Sequence, residues 1–353
     1  MLECELLSLG ALRATAPANP GPYRTHAQIE SNQTKTTKSG SPFLELKFAA
    51  ADGSMTLRAW DNTPAFEQAA EFQPGDWVEI TGSWQENGSF GLDAKDWKLR
   101  GLHPDEIATA LLGSPERAEK QARDHATIED YCARLADPRL RALCLAFLEK
   151  FGDRFWRAAA ARHNHHARRG GLAEHVAQMM RCASSICDAY PQLHRDLILA
   201  GVLFHDCGKL WENGYPESGF AMPYSDLGEM LGHITIGIEV ANSLWHKLAQ
   251  SEAAADWRAL DPPSEQVRLH LLHLIGSHHG QYDYGAPVLP KTPEAIVLHH
   301  VDNIDAKLEM LFQGYTTAAQ LAPNIFERVR PFTHNLVRPL AHGIFESRES
   351  APE

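Results

Sequence analysis

The sequence predicts a multidomain chain with two unlike parts, a small antiparallel β-barrel followed by an all-helical domain. Three observations carry this expectation. Apolar residues alternate with period two over roughly the first hundred positions, between clusters of turn residues. Beyond about position 128 the apolar period becomes helical. Of 19 histidines, 14 fall between His163 and His300, inside that helical part.

The strand signals come in pairs. In "SPFLELKFAAADGSMTLRAW", Phe43/Leu44, Leu46 and Phe48 alternate, Asp52-Gly53 turns the chain, and Met55, Leu57 and Ala59 resume ahead of Trp60. In "FQPGDWVEITGSWQENGSFGLDAKDWKL", Pro74-Gly75 opens a strand at Trp77, Val78 and Ile80, and Asn87-Gly88 turns into Phe90 and Leu92. A twisted barrel of about five strands accounts for these runs. The arrangement resembles an OB-fold, whose members bind single strands on exposed aromatics and a basic groove. The resemblance makes Lys35, Lys38, Phe43, Trp60 and Phe90 nucleic-acid-binding candidates, with barrel core as the ordinary alternative for each aromatic.

The expected division is an OB-fold-like domain over 1–102, a polar linker over 103–128, a helical domain over 129–345 and a polar tail over 346–353. Helices are expected over 129–150, 172–189, 195–206, 226–248, 264–278 and 293–311. In the fourth, Leu227, Leu231, Ile234, Ile238, Ala241, Leu244 and Leu248 form a 3.6-residue stripe.

Along these helices the groups able to hold a metal fall at helix ends or on inward faces. Glu174-His175 lies in "GGLAEHVAQMM", His205-Asp206 ends "LILAGVLFHDCGKLWE", and His233 sits on the stripe beside Ile234. His278-His279 ends "LLHLIGSHHG", and Asp302 lies in "VLHHVDNIDAKLEM". A single buried histidine is more often a hydrogen-bonded core residue than a ligand. The set reverses that balance, because successive helices each deliver one or two such groups. His194, His246, His270 and His273 fit no pattern and are left as structural. Imidazole nitrogen with carboxylate oxygen favours Mn, Fe, Co, Ni or Zn over calcium.

The order H…HD…H…HH…D resembles that of the HD-domain metal-dependent phosphohydrolases. His175, His205, Asp206 and Asp302 match the naming motif, and His233 with His278/His279 matches the extra ligands of two-metal members. The stretches "NHHARRGGLAEHV", "LGHITIGIEVAN" and "IGSHHGQYDYGAPVLPKTPEAIVLHHVDNIDAK", behind an OB-like N-terminus, resemble the YhaM family of 3′-5′ exoribonucleases over nearly the whole chain. Cys207 stands where an aliphatic residue is usual, and Arg168-Arg169 replace an expected aromatic-aliphatic pair.

The resemblance implies hydrolysis of phosphodiesters at the 3′ end of single-stranded RNA, or DNA, to nucleoside 5′-monophosphates. It implies two divalent ions, manganese foremost, with Co²⁺, Fe²⁺, Ni²⁺ and Zn²⁺ as alternatives. His175, His205, Asp206 and Asp302 would hold the first, with Asp206 as the bridge, and His233, His278 and His279 the second. Asp206 and Lys209 are the catalytic candidates, Lys209 as a phosphate contact or as a lysine facing a helix dipole. Arg168, Arg169, His165, His166 and Lys291 are candidates for the substrate rim, since arginine forks match phosphate oxygens. A homo-oligomer is expected.

Composition sets the bounds. The net charge of −12 argues against binding nucleic acid by global attraction, though not against a local basic groove. Six cysteines without a C-x-x-C pair point to free thiols and a cytoplasmic setting. The acidic start "MLECELLSLGALRA" is not read as a targeting segment, and no window reaches the roughly 18 to 20 apolar residues of a membrane helix. Two rival readings remain: an HD phosphohydrolase of small nucleotides or cyclic dinucleotides, suggested by "HHGQYDYGAP", and a single-strand-binding protein with a structural metal.

Overall fold

The computed structural model describes residues 4–87, 91–162, 165–220 and 222–340. Phe90, the end of the expected helical domain (341–345) and the tail at 346–353 lie outside these residues.

The N-terminal part is built on one long strand. After β1 (Glu5–Leu6) and α1 (Leu9–Thr15), β2 (Gly21–Thr36) pairs antiparallel with β3 (Pro42–Ala50) at one end and β5 (Trp77–Asn87) at the other. A register shift between Ile29 and Ser31 bends β2 where it passes from one partner to the other. With β4 (Gly53–Trp60) and β6 (Gly91–Gly101) the order is β4-β3-β2-β5-β6. α2 (Pro64–Ala70) packs on both outer strands, which do not hydrogen-bond to each other. This is a partly open barrel of OB type. Leu46, Phe48, Leu57, Ile80 and Trp84 fill it, and the Trp84 indole donates to Tyr23 O at 2.9 Å.

Residues 103–128, expected as a linker, are helical. α3 (Pro104–Leu112) and α4 (Pro115–Ala133) each begin with proline in the first turn, where a missing N–H costs nothing. Only Asp124, Ile128 and Cys132 of α4 are buried, too sparse a stripe to show in the sequence. The expected helix 129–150 is therefore two: α4 ends near Arg134, and Asp137 caps α5 (Pro138–Phe155) by accepting from the Arg139 and Leu140 amides.

The other expected helices are present: α6 (Gly171–Ala189), α7 (Arg195–Phe204), α9 (Asp226–Ala249), α10 (Ser264–Ser277) and α11 (Pro293–Thr317), with an unexpected single turn α8 (Lys209–Glu212) after α7. They share one core containing Phe147, Phe155, Leu172, Val176, Phe204 and Leu274. A small sheet of β7 (Gln320–Ala322), β8 (Ile325–Phe326) and β9 (Leu336–Val337) follows, which helical periodicity did not anticipate. The two parts meet at an apolar contact. Trp77 of β5 packs against Phe220 with ring centroids 5.4 Å apart and planes tilted by 60°, and its indole donates to Ser218 O at 3.1 Å. No helix among the described residues is long and apolar enough to cross a membrane.

Candidate metal centre

Five segments of the helical domain converge on one point. α6 starts at Gly170, whose φ of 80° suits glycine. Its apolar face of Leu172, Val176 and Met179 carries His175 into the core at 0% exposure. α7 is buried from Leu197 to Phe204 and stops at His205, so a tight turn presents His205 and Asp206 inside the domain. Gly208 is required by that turn, since a Cβ there would lie 2.0 Å from His233 O. α9 breaks at Gly232, with φ 68° and ψ 159°, and restarts at His233. The Glu212 carboxylate caps the restart, accepting from the His233 amide at 3.0 Å.

Each histidine is fixed through Nδ1, leaving Nε2 to face the centre. His175 Nδ1 lies 2.6 Å from Asp305 Oδ2, and His233 Nδ1 2.8 Å from Glu212 Oε2. His205 Nδ1 lies 2.8 Å from Val202 O, His278 Nδ1 2.7 Å from Ile275 O, and His279 Nδ1 2.6 Å from Tyr284 O. These acceptors place the proton on Nδ1 and the lone pair on Nε2, as metal-bound imidazole requires. The Nε2 atoms of His175, His205 and His278, and Asp206 Oδ1, are buried without a hydrogen bond. Orphaned polar atoms in a core are costly unless something ligates them. The donor set therefore fits divalent metal.

Among the groups of ligand atoms close enough for an ion are His175 with His205 and Asp206, and His233 with His278 and His279. Asp206 lies between them. Its Oδ1 is 3.5 Å from Nε2 of both His233 and His278, and its Oδ2 is 3.3 Å from His205 Nε2. Asp302 Oδ1 stands 3.3 Å from His175 Nε2.

The electrostatics agree for Asp206, His278 and His279, while His175 holds a second proton that a metal would have to displace. Burial opposes charge on Asp206, but Lys209 and His205 outweigh it and hold the carboxyl well below its ordinary range. Burial likewise opposes charge on His175, yet Asp302 and Asp305 push the imidazole up to about 10. Burial lowers His278 and His279 and brings His165 down to about 3, which keeps these rings neutral.

The remaining candidates are placed as follows. Lys209 is buried with Nζ 2.7 Å from Asp206 Oδ2, so its ammonium is held by that carboxylate rather than presented to a phosphate. Arg168 is engaged by Glu174 and by Glu309 at 2.6 Å, not left free on the rim. Arg169 donates to the carbonyls of Pro216, Glu217 and Gly219. His165 joins His175 and Asp302 in a further cluster, and His166 reaches Asp305 at 2.9 Å. Lys291 is exposed, and its amide donates to His273 rather than to any group of the centre. In the barrel, Lys35, Phe43 and Trp60 stand opposite one another across β2, β3 and β4. The Phe43 and Trp60 rings are 5.0 Å apart, Trp60 is 42% exposed, and Lys35 pairs with Glu45. Lys38 is exposed in the β2–β3 turn.

Sequence reasoning missed Asp305 and Glu212, the carboxylates that orient His175 and His233. Asp305 follows Asp302 by one helical turn in "VDNIDAK", a spacing that puts both on one face.

A family profile described as "HD domain" matches residues 172–307, the span that supplies these ligands. The "3′-5′ exoribonuclease YhaM" of Bacillus licheniformis is 32% identical over 284 residues, covering 80% of this chain and 84% of that protein. The protein of that name from Bacillus subtilis strain 168 is 32% identical over 294 residues, with coverage of 80% and 84%. The Listeria monocytogenes (EGD-e) protein of that name is 32% identical over 292 residues, again covering 80% and 84%. With likeness of this extent, and an HD domain at the centre itself, the chain belongs to the family of 3′-5′ exoribonuclease YhaM.

Proposed function

We propose that the chain is a metal-dependent 3′-5′ exoribonuclease that shortens single-stranded RNA and releases nucleoside 5′-monophosphates. The observation that carries the reading is the ring of Nδ1-anchored histidines around Asp206, with buried ligand atoms left open toward one point. Relatives sharing most of the chain bear the name of that activity.

In this reading His175, His205, Asp206 and Asp302 would hold one ion, and His233, His278 and His279 would hold a second, with Asp206 between the two groups. Manganese is the first choice for an all-nitrogen-and-oxygen set. Such ions, when bound, activate a water and offset the charge that builds on the phosphodiester. The chain's own residues do the rest. Asp305 and Glu212 orient His175 and His233 and make their Nε2 atoms more basic. Lys209 keeps Asp206 ionised and aimed, acting as a positioning residue. The barrel row of Lys35, Phe43 and Trp60 stacks and steadies the upstream strand, and Trp60 also lines a groove of about 640 Å³ with Lys95 and Lys98.

The test is a time course on 5′-labelled single-stranded RNA with manganese or chelator, beside the same sequence as DNA. The expected result is a ladder shortening from the 3′ end that chelator abolishes, with nucleoside 5′-monophosphate as product. Intact strands in manganese overturn the reading.

A further inference from the structure

Between the barrel and the helical domain lies a second cleft, of about 690 Å³, separate from the groove at Trp60. One wall is the β3–β4 turn and Lys47, and the other carries Arg162 and, just ahead of α6, Ala167, Arg168 and Arg169. Its floor is fixed by the Trp77–Phe220 contact that joins the two parts.

Arginines dominate the lining, and three of them have unusual partners. Arg117 donates to Ala51 O and, at 2.7 Å, to Arg169 O. Arg162 donates to Glu212 O and Pro223 O, both at 2.7 Å, and lies 4.0 Å over the Tyr224 ring. Arg169 donates to Glu217 O at 2.7 Å. Backbone carbonyls fix each guanidinium in place without neutralising it, and among the described residues none of the three forms an ion pair with a carboxylate. Arg168 beside them shows the contrast, paired with Glu174 and Glu309. Three half-buried guanidiniums therefore lack a paired carboxylate; of the acidic groups that also line the cleft, Glu30 pairs with Lys47 and Asp52 accepts from the Gly10 amide. Burial lowers the pKa of Arg117 and Arg169 from the ordinary arginine value, a cost that an anion in the cleft would offset. Tyr224, 70% exposed beside Arg162, offers a ring face at the rim.

The cleft is mechanically tied to the metal centre. Arg162 holds the backbone of Glu212, whose carboxylate orients His233. Arg168 holds Glu174, the neighbour of His175.

We propose that this cleft binds the phosphodiester backbone of the RNA just upstream of the scissile bond, with Arg117, Arg162 and Arg169 on phosphates and Tyr224 stacked on a base. The assignment rests on the exoribonuclease reading. Planar guanidinium forks already oriented by carbonyls suit successive phosphates better than a flexible ammonium does.

The experiment measures binding of the full chain to a long 5′-labelled single-stranded RNA in chelator, by fluorescence anisotropy over a range of salt. Arg162→Gln and Arg169→Gln should each lower the slope of log affinity against log salt by about 0.7, the change for one phosphate contact on a single strand. Tyr224→Ala should weaken binding several-fold with the slope kept. Arg134→Gln, at the exposed C-cap of α4 and paired with Asp130, serves as the control that leaves the slope unchanged. If an arginine variant fails a thermal-melt check, Tyr224→Ala, which removes an exposed ring, still decides. Folded variants binding with wild-type slope and affinity overturn the cleft. Wild-type protein that shows the expected losses in its variants, yet leaves RNA intact with manganese, overturns the exoribonuclease reading and retains the cleft as an RNA site.

Discussion

The helical domain and the barrel both carry charged groups and rings, but they treat them differently. In the helical domain the polar atoms around Asp206 are buried and left open, while their far sides are tied down by hydrogen bonds. On the barrel the charged side chains pair with each other, Lys35 with Glu45 and Lys47 with Glu30 at the surface, and the buried Glu79 with Arg24, His26 and Arg100. A surface pair of that kind contributes little and asks for no ligand. An open buried nitrogen costs free energy until something binds it. Single buried atoms without a partner also occur in the barrel, at Thr25 and Asn32, so it is several incomplete imidazoles and a carboxylate facing one point that mark the candidate centre.

The comparison is broken most severely at Asp206. Asp206→Asn keeps an acceptor for the buried Lys209 but removes the charge between the two ligand groups, and RNA hydrolysis should fall by on the order of 10³-fold. Metal content after gel filtration should fall with it, while anisotropy in chelator still reports RNA binding. Asp206→Ala is the poorer choice, because leaving Lys209 buried alone costs about 3–5 kcal/mol. Wild-type turnover in a folded Asp206→Asn protein removes the centre from the reaction.

Next in size is the carboxylate behind the ring. Asp305→Asn should weaken metal affinity about 10- to 100-fold by freeing the orientation and tautomer of His175. Calorimetric titration of the metal-free protein with manganese measures it. Unchanged affinity would show that Asp305 serves packing alone.

A third prediction concerns acid. His175 in the metal-free protein is raised to about 10, so at neutral pH an ion must displace its proton. Apparent metal affinity should fall about tenfold per pH unit as pH drops below 10, and titrations in buffers of different ionisation enthalpy should show about one proton released. The metal-free fold runs the other way. The histidine's stabilising charge is fully present below its unfolded value of about 6.5 and is lost as pH rises through about 10, so the melting temperature should decline across that window.

The smallest effect is expected at the barrel. Trp60→Ala should weaken RNA binding by about 1 kcal/mol, the low end for a stacking platform, because part of the ring already faces Phe43. Equal binding by the variant would leave the barrel face without a part in holding the strand.

The sequence made the centre legible for a physical reason. His205 and Asp206 end an apolar helix, His278 and His279 end another, and ionisable residues at such positions stand out against their surroundings. Asp305 was missed because its role depends on facing a histidine 130 residues away. Arg168 was assigned to phosphate because Glu309, 141 residues on, cannot be foreseen as its partner. Lys209 similarly looked free until the fold turned it back on Asp206. The barrel hairpins were legible because their alternation and turns are local, with β3 and β4 meeting at Ala50 and Gly53. α4 was not, because only a few of its residues reach the core.

The spread of the ligands along the chain also sets an order of assembly. His175, the His205-Asp206 turn, His233, His278 and Asp302 lie on segments that follow one another through the whole helical domain. On a ribosome the first would emerge well before the last, and α11 must dock before Asp302 and Asp305 close on His175. The ligand group that includes Asp302 is thus completed last, after the group of His233, His278 and His279. A chain halted before α11 would have histidines in place but no finished socket, so a nascent or broken copy would be unable to cut RNA.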